Sequence, residues 1–81
     1  MERSEIEQKI RTILVDELEI EESLIAPDAQ LKADIGIDSL DLVDIVVLID
    51  KAFSVKIVPA QLSTIKTYSQ LVDFLSEKVN G

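Results

Sequence analysis

The 81-residue sequence predicts a small all-α fold: a four-helix bundle with three longer helices, one short helix and a long loop between the first two. Three observations predict it. Apolar residues recur at helical spacing near both ends of the chain, each such stretch opens on a capping-box pattern, and a fifteen-residue mid-chain segment rich in Leu, Ile and Val contains neither Gly nor Pro.

Ser4-Glu5-Ile6-Glu7 has the spacing of a capping box, and Ile6, Ile10, Ile13, Leu14 and Leu18 follow as one apolar stripe. From about Glu19 to Asp38 that period dissolves. An acidic run, Pro27-Asp28 and Gly36 read as a long ordered loop pinned by Leu24, Ile25, Leu31, Ile35 and Ile37. Ser39 to about Phe53 would suit a strand nearly as well as a helix by composition, and its length decides for helix. Pro59 suits the first position of a short helix ending near Ser63. Thr67-Tyr68-Ser69-Gln70 is a second capping box, opening a helix with Tyr68, Leu71, Val72, Leu75 and Val79 inward and Asn80-Gly81 as its stop. With no repeat or linker in view, residues 1–81 read as one domain.

Composition narrows the function. A chain this short buries only roughly 60 to 65% of its unfolded surface, leaving little room beyond one layer of helices. It has no cysteine and no histidine, so thiolate metal sites, disulfides and Ser-His-Asp or Cys-His catalysis are impossible. An enzyme working by carboxylates alone would need two acids converging in a pocket, and the acids here fall in loops or on solvent faces, so no enzymatic activity is expected. A formal charge of −8 opposes nucleic acids and anionic membranes and favours basic protein partners. The longest apolar run, Ile45 to Ile49, is too short to span a bilayer, and a cytoplasmic monomer is the expectation.

On a helical wheel of Ser39–Phe53, the residues Leu42, Ile45, Val46, Ile49, Ala52 and Phe53 share one sector and form a core face. The opposite face interleaves Leu40, Val43 and Val47 with Asp44, Asp50 and Lys51, and Asp41 lies on its margin. Such a face is either buried, because the bundle covers this helix on nearly all sides, or ordinary apolar surface, or a docking strip rimmed by carboxylates. Five acids and no base between Asp34 and Asp50 suit the docking reading.

Ser39 stands where the loop meets this helix, within Gly36-Ile37-Asp38-Ser39-Leu40. It is a natural N-cap, and Asp38 with Asp41 could equally cap the helix. A phosphodiester on Ser39 would sit at the positive end of the helix dipole beside unpaired N–H groups. No resident base could activate the hydroxyl, so an attached group would have to be placed by another enzyme. An EF-hand reading of Asp34, Gly36, Asp38 and Asp41 fails: its sixth position holds Ser39 instead of Gly and its twelfth holds Ile45 instead of Glu, so no metal site is assigned.

The stretch Asp34-Ile35-Gly36-Ile37-Asp38-Ser39-Leu40-Asp41, with Phe53, Ile57 and Pro59 after it, resembles the acyl carrier proteins of dissociated fatty acid and polyketide synthesis, whose motif is D-x-G-x-D-S-L. The resemblance spans nearly the whole chain. It implies that Ser39 carries 4'-phosphopantetheine, transferred from coenzyme A by a magnesium-dependent phosphopantetheinyl transferase, and that the arm holds acyl intermediates as thioesters. It further implies that acyl-transferring and chain-elongating enzymes with basic patches dock on Leu40, Val43 and Val47 together with Asp38, Asp41 and Asp44. Leu31, Ile45, Val46, Ile49, Ile57, Leu62 and Leu71 would line the space for an acyl chain folded back between the helices, and serve equally well as core. Asp50-Lys51-Ala52 and Lys56 depart from the more acidic helix end of the housekeeping fatty-acid carriers and leave a dedicated pathway carrier open, whether polyketide, peptidyl or D-alanyl. A non-carrier helical interaction domain, with Ser39 as a plain cap, is the remaining alternative.

Overall fold

A computed structural model describes Met1–Asn80; Gly81, expected to help stop the last helix, lies outside the described residues. Four α-helices run in the expected order: α1 Arg3–Thr12, α2 Ser39–Phe53, α3 Pro59–Ser63 and α4 Tyr68–Asn80. α1 packs against α4 and α2 against α3. Their apolar faces merge into one connected core of buried side chains, with Tyr68, Ile6, Ile10, Leu14, Ile49 and Leu75 among the most deeply enclosed. The core face of α2 is as the wheel places it, except that Ala52 is half-buried, as are Leu18 and Val79 at the ends of their stripes.

The first capping box does not form. α1 starts two residues earlier, at Arg3, with Glu2 as an N-cap that makes no side-chain bond. Tertiary ties decide this start: Arg3 Nε donates to Asp73 Oδ1 of α4 at 2.9 Å, and Met1 and Asn80 exchange two hydrogen bonds of 2.8 Å. Ser4 is thereby already inside the first turn. The second box does form, with the Gln70 N–H donating to Thr67 Oγ1 at 3.2 Å and Gln70 Oε1 accepting from Lys66 and Thr67 N–H. Pro59 opens α3 as expected.

After Thr12 the helix widens into a π-helical turn, Ile13–Glu17, just where the Thr12 hydroxyl donates back to the Gln8 carbonyl at 3.0 Å. Glu19 then takes a left-handed conformation, φ 56°, and the Ile20 N–H closes onto the Leu14 carbonyl.

The long loop is more structured than its sequence suggests. It contains a 3₁₀ turn, Glu22–Leu24, and a π-helical turn, Leu31–Ile35. Ile25, Ala29, Leu31, Ile35 and Ile37 are buried as its pins, whereas Leu24, expected among them, is exposed because the 3₁₀ turn carries it outward. Backbone bonds clasp the loop to the α3–α4 connection and the first residues of α4: Leu31 N–H to the Lys66 carbonyl at 2.8 Å, Tyr68 N–H to Ala29 at 2.9 Å and Ser69 N–H to Pro27 at 2.8 Å.

Tyr68 links this clasp to α1. Its hydroxyl donates to Glu7 Oε2 at 2.7 Å, and Arg11 Nε donates to the same oxygen at 3.0 Å. Burial pushes the Glu7 carboxyl up, but the bonds from Arg11 and Tyr68 outweigh it and hold the group below its ordinary 4.5. Burial, together with the bond to Glu7, pushes the Tyr68 phenol above its ordinary 10.0. Glu7 therefore contributes stability that is complete above pH 4.5 and is lost as pH falls through its lower folded value. Tyr68 contributes stability that is complete below pH 10.0 and is lost as pH rises toward its higher folded value. Urea denaturation across pH should show both declines. Tyr68→Phe should abolish the alkaline one and cost about 1 to 2 kcal/mol at neutral pH; an unchanged alkaline limb would assign that loss elsewhere.

Candidate functional site

The site is built around the turn that feeds α2. Gly36 follows the π-helical turn in a left-handed conformation, φ 87°, and its N–H and that of Ile37 both reach the Leu31 carbonyl. A Cβ added at Gly36 would meet no atom within 4 Å, so glycine is required for its backbone angle and not for space. The buried Ile37 then anchors the chain one residue before the helix cap.

Asp38, and not Ser39, is that cap. Asp38 Oδ1 accepts from the N–H groups of Leu40 at 2.9 Å and Asp41 at 3.0 Å, while Asp41 Oδ2 accepts from the Asp38 N–H at 3.1 Å. This reciprocal box settles the alternatives left open by sequence. It also corrects the expectation of several free N–H groups for an anion on Ser39, because two of them are already bonded to Asp38.

Ser39 occupies the first helical position, exposed, and its hydroxyl has no hydrogen-bond partner among the described residues. The geometry fits a carried group, since nothing crowds or competes for the oxygen. It does not fit self-activation: the neighbouring carboxylates are turned onto backbone N–H groups.

The outer face of α2 is as the wheel predicts. Leu40 is 77% exposed and Val43 and Val47 are each 49% exposed, while Asp44 stands free in solvent. Asp41 is half-buried, and its charge, like that of Asp38, is shared between the cap and the face.

The structure adds a residue that sequence reasoning missed. Val58, the residue before α3, is 55% exposed and lines a shallow groove of about 370 Å³ with Val46, Val47 and Ile57. A wheel of α2 alone could not find it; the only hint was an apolar residue directly before Pro59. All seven proposed acyl-lining residues are buried in the common core. Among the described residues no cluster of three or more acids converges to hold a metal, and no helix is long and apolar enough to cross a membrane.

A helical fold that presents an exposed serine at a helix start, beside an acidic and apolar strip, is compatible with a carrier domain. Residues 8–75 match the family model described as "Phosphopantetheine attachment site". Curated relatives named acyl carrier protein match over nearly their whole length. That of Guillardia theta is 38% identical over 98% of both chains, and those of Rubrobacter xylanophilus and Thermotoga maritima are each 38% identical over 95% of both. The chain belongs to the acyl carrier protein family. Members of this family are carriers and not catalysts, they use 4'-phosphopantetheine, and they work with a phosphopantetheinyl transferase and with synthesis enzymes.

The cap assignment separates the stabilities of two neighbours. Asp38→Ala should cost about 0.5 to 2 kcal/mol, and Ser39→Ala less than about 0.5 kcal/mol. Thermal or urea melts of the two variants check this, and equal losses would return capping to Ser39.

Proposed function

We propose that Ser39 is the attachment point and that the chain, as a single carrier domain over residues 1–81, holds acyl intermediates as thioesters on a 4'-phosphopantetheine arm there. It presents them to enzymes of fatty acid or related lipid and polyketide biosynthesis in the cytoplasm. The observation that carries this reading is the division of labour at the start of α2: Asp38 and Asp41 satisfy the helix end, and the Ser39 hydroxyl is left exposed with no partner among the described residues. In this reading the transferase supplies the base and the magnesium, and this chain supplies the nucleophilic oxygen on a fixed helix. Once attached, the phosphodiester sits at the positive end of a fifteen-residue helix, whose dipole favours it even with two N–H groups taken. The arm's thiol carries the acyl group.

The docking part of the reading assigns Leu40, Val43 and Val47 to apolar contact, and Asp38, Asp41 and Asp44 to charge complementarity with basic patches on partner enzymes. The exposure of three aliphatic side chains on one helix face supports it, since the core is complete without them.

Incubation with coenzyme A, magnesium and a promiscuous phosphopantetheinyl transferase should raise the intact mass by one phosphopantetheine group, and Ser39→Ala should gain none. No gain on a folded, initially unloaded parent would leave Ser39 a plain helix residue. Asp44→Lys should keep the melting temperature and raise the KM of partner enzymes several-fold at low salt. The difference should shrink toward 1 M salt, where the screening length falls to about 3 Å; a salt-independent effect would rule out charge steering.

A further inference from the structure

The docking face is not acidic along its whole length. Asp44, Val47 and Lys51 follow one another at i, i+3 and i+7, so they form a single stripe down α2 with opposite charges at its ends. Val47 also separates two shallow grooves. One, of about 280 Å³, is lined by Glu17, Leu18, Asp44 and Leu48 and contains acids without a base. The other, of about 370 Å³, carries Lys56 and Asp50 on its rim beside Val58. Lys51 and Lys56 are exposed, and neither makes an ion pair among the described residues. The start of α2 thus holds Asp38, Asp41 and Asp44 with no base, whereas Asp50, Lys51 and Lys56 leave its far end with one net positive charge.

Distance keeps these signs from averaging. Asp44 and Lys51 lie about 10 Å apart along the helix axis at 1.5 Å per residue. That exceeds the screening length of about 8 Å at physiological salt, so a bound surface senses each end separately. A partner closing over Val43, Val47 and Val58 brings its rim against both ends. A uniformly basic rim would set like charges against Lys51 and Lys56, which opposes binding.

We propose that the partner this face fits is two-signed: an apolar ridge seated over Val47 and Val58, with Lys or Arg side chains opposite Asp38, Asp41 and Asp44, and Asp or Glu side chains opposite Lys51 and Lys56. The pairing orients the partner along α2 and disfavours enzymes whose docking surface is basic throughout. This rests on the carrier reading and deepens it by naming the chemistry of the enzyme served.

The test uses the full chain, loaded at Ser39 and acylated, with the chain-elongating enzyme purified from the source organism by its turnover of that acylated chain. Lys51→Glu/Lys56→Glu makes the face acidic throughout. A two-signed partner should then show a KM raised about fivefold with kcat unchanged, and the neutral Lys51→Gln/Lys56→Gln variant a smaller rise of the same sign. A KM that is equal or lower for the glutamate variant, as a uniformly basic partner requires, overturns the proposal. Melting temperature and intact mass after loading report folding and attachment separately. A parent chain that gains no phosphopantetheine fails the carrier reading itself, whereas normal loading with an unchanged or lowered KM fails only the two-signed partner.

Discussion

Three backbone hydrogen bonds from the loop residues Pro27, Ala29 and Leu31 to Lys66, just before α4, and to Tyr68 and Ser69 at its start hold the rest of this structure in place. About twenty residues separate the first helical segment from α2, and closing so long a connection costs chain entropy that an unpaired loop would not recover. The clasp satisfies loop backbone groups that would otherwise be buried without partners, and it sets Ile25, Ala29 and Leu31 into the core. Everything downstream inherits that registration. Leu31 starts the π-helical turn, its carbonyl receives the N–H groups of Gly36 and Ile37, and Ile37 delivers Asp38 to the head of α2.

The same clasp positions Tyr68, which begins α4 and reaches Glu7 on α1. The bundle is therefore closed from two sides. Aliphatic packing supplies most of the stabilisation, and one half-buried polar junction of Tyr68, Glu7 and Arg11 fixes how α4 lies against α1. No buried side-chain polar atom among the described residues is left without a partner, as a core this small requires.

At the head of α2, the residues that cap the helix do not include the exposed serine. The helix end is satisfied by the carboxylate pair of Asp38 and Asp41, which leaves the Ser39 hydroxyl exposed and without a hydrogen-bond partner among the described residues. The exposed aliphatic strip has a related logic. Leu40, Val43, Val47 and Val58 lie outside a core already filled from the opposite face and stand exposed as an apolar strip. The two ends of that strip carry opposite net charge, with Asp38, Asp41 and Asp44 at one and Lys51 and Lys56 beside Asp50 at the other.

The sequence by itself determined the four α-helices and their order, the inward face of α2, the outward placement of Leu40, Val43, Val47 and Asp44, and Ser39 at a helix start. These follow from local rules of periodicity, capping and turn chemistry that one segment obeys without its neighbours. Only the tertiary structure decided that α1 begins at Arg3 and not after Ser4, because Asp73 lies seventy residues away in the chain and beside Arg3 in space. Choosing Asp38 over Ser39 as cap needed the observed reciprocal bonds, since both residue types suit the position. The clasp across the loop and the arrival of Val58 beside Val47 were invisible for the reason that hid the Arg3–Asp73 contact. Each depends on contacts between segments distant in sequence, and no periodicity within one segment encodes where another will pack.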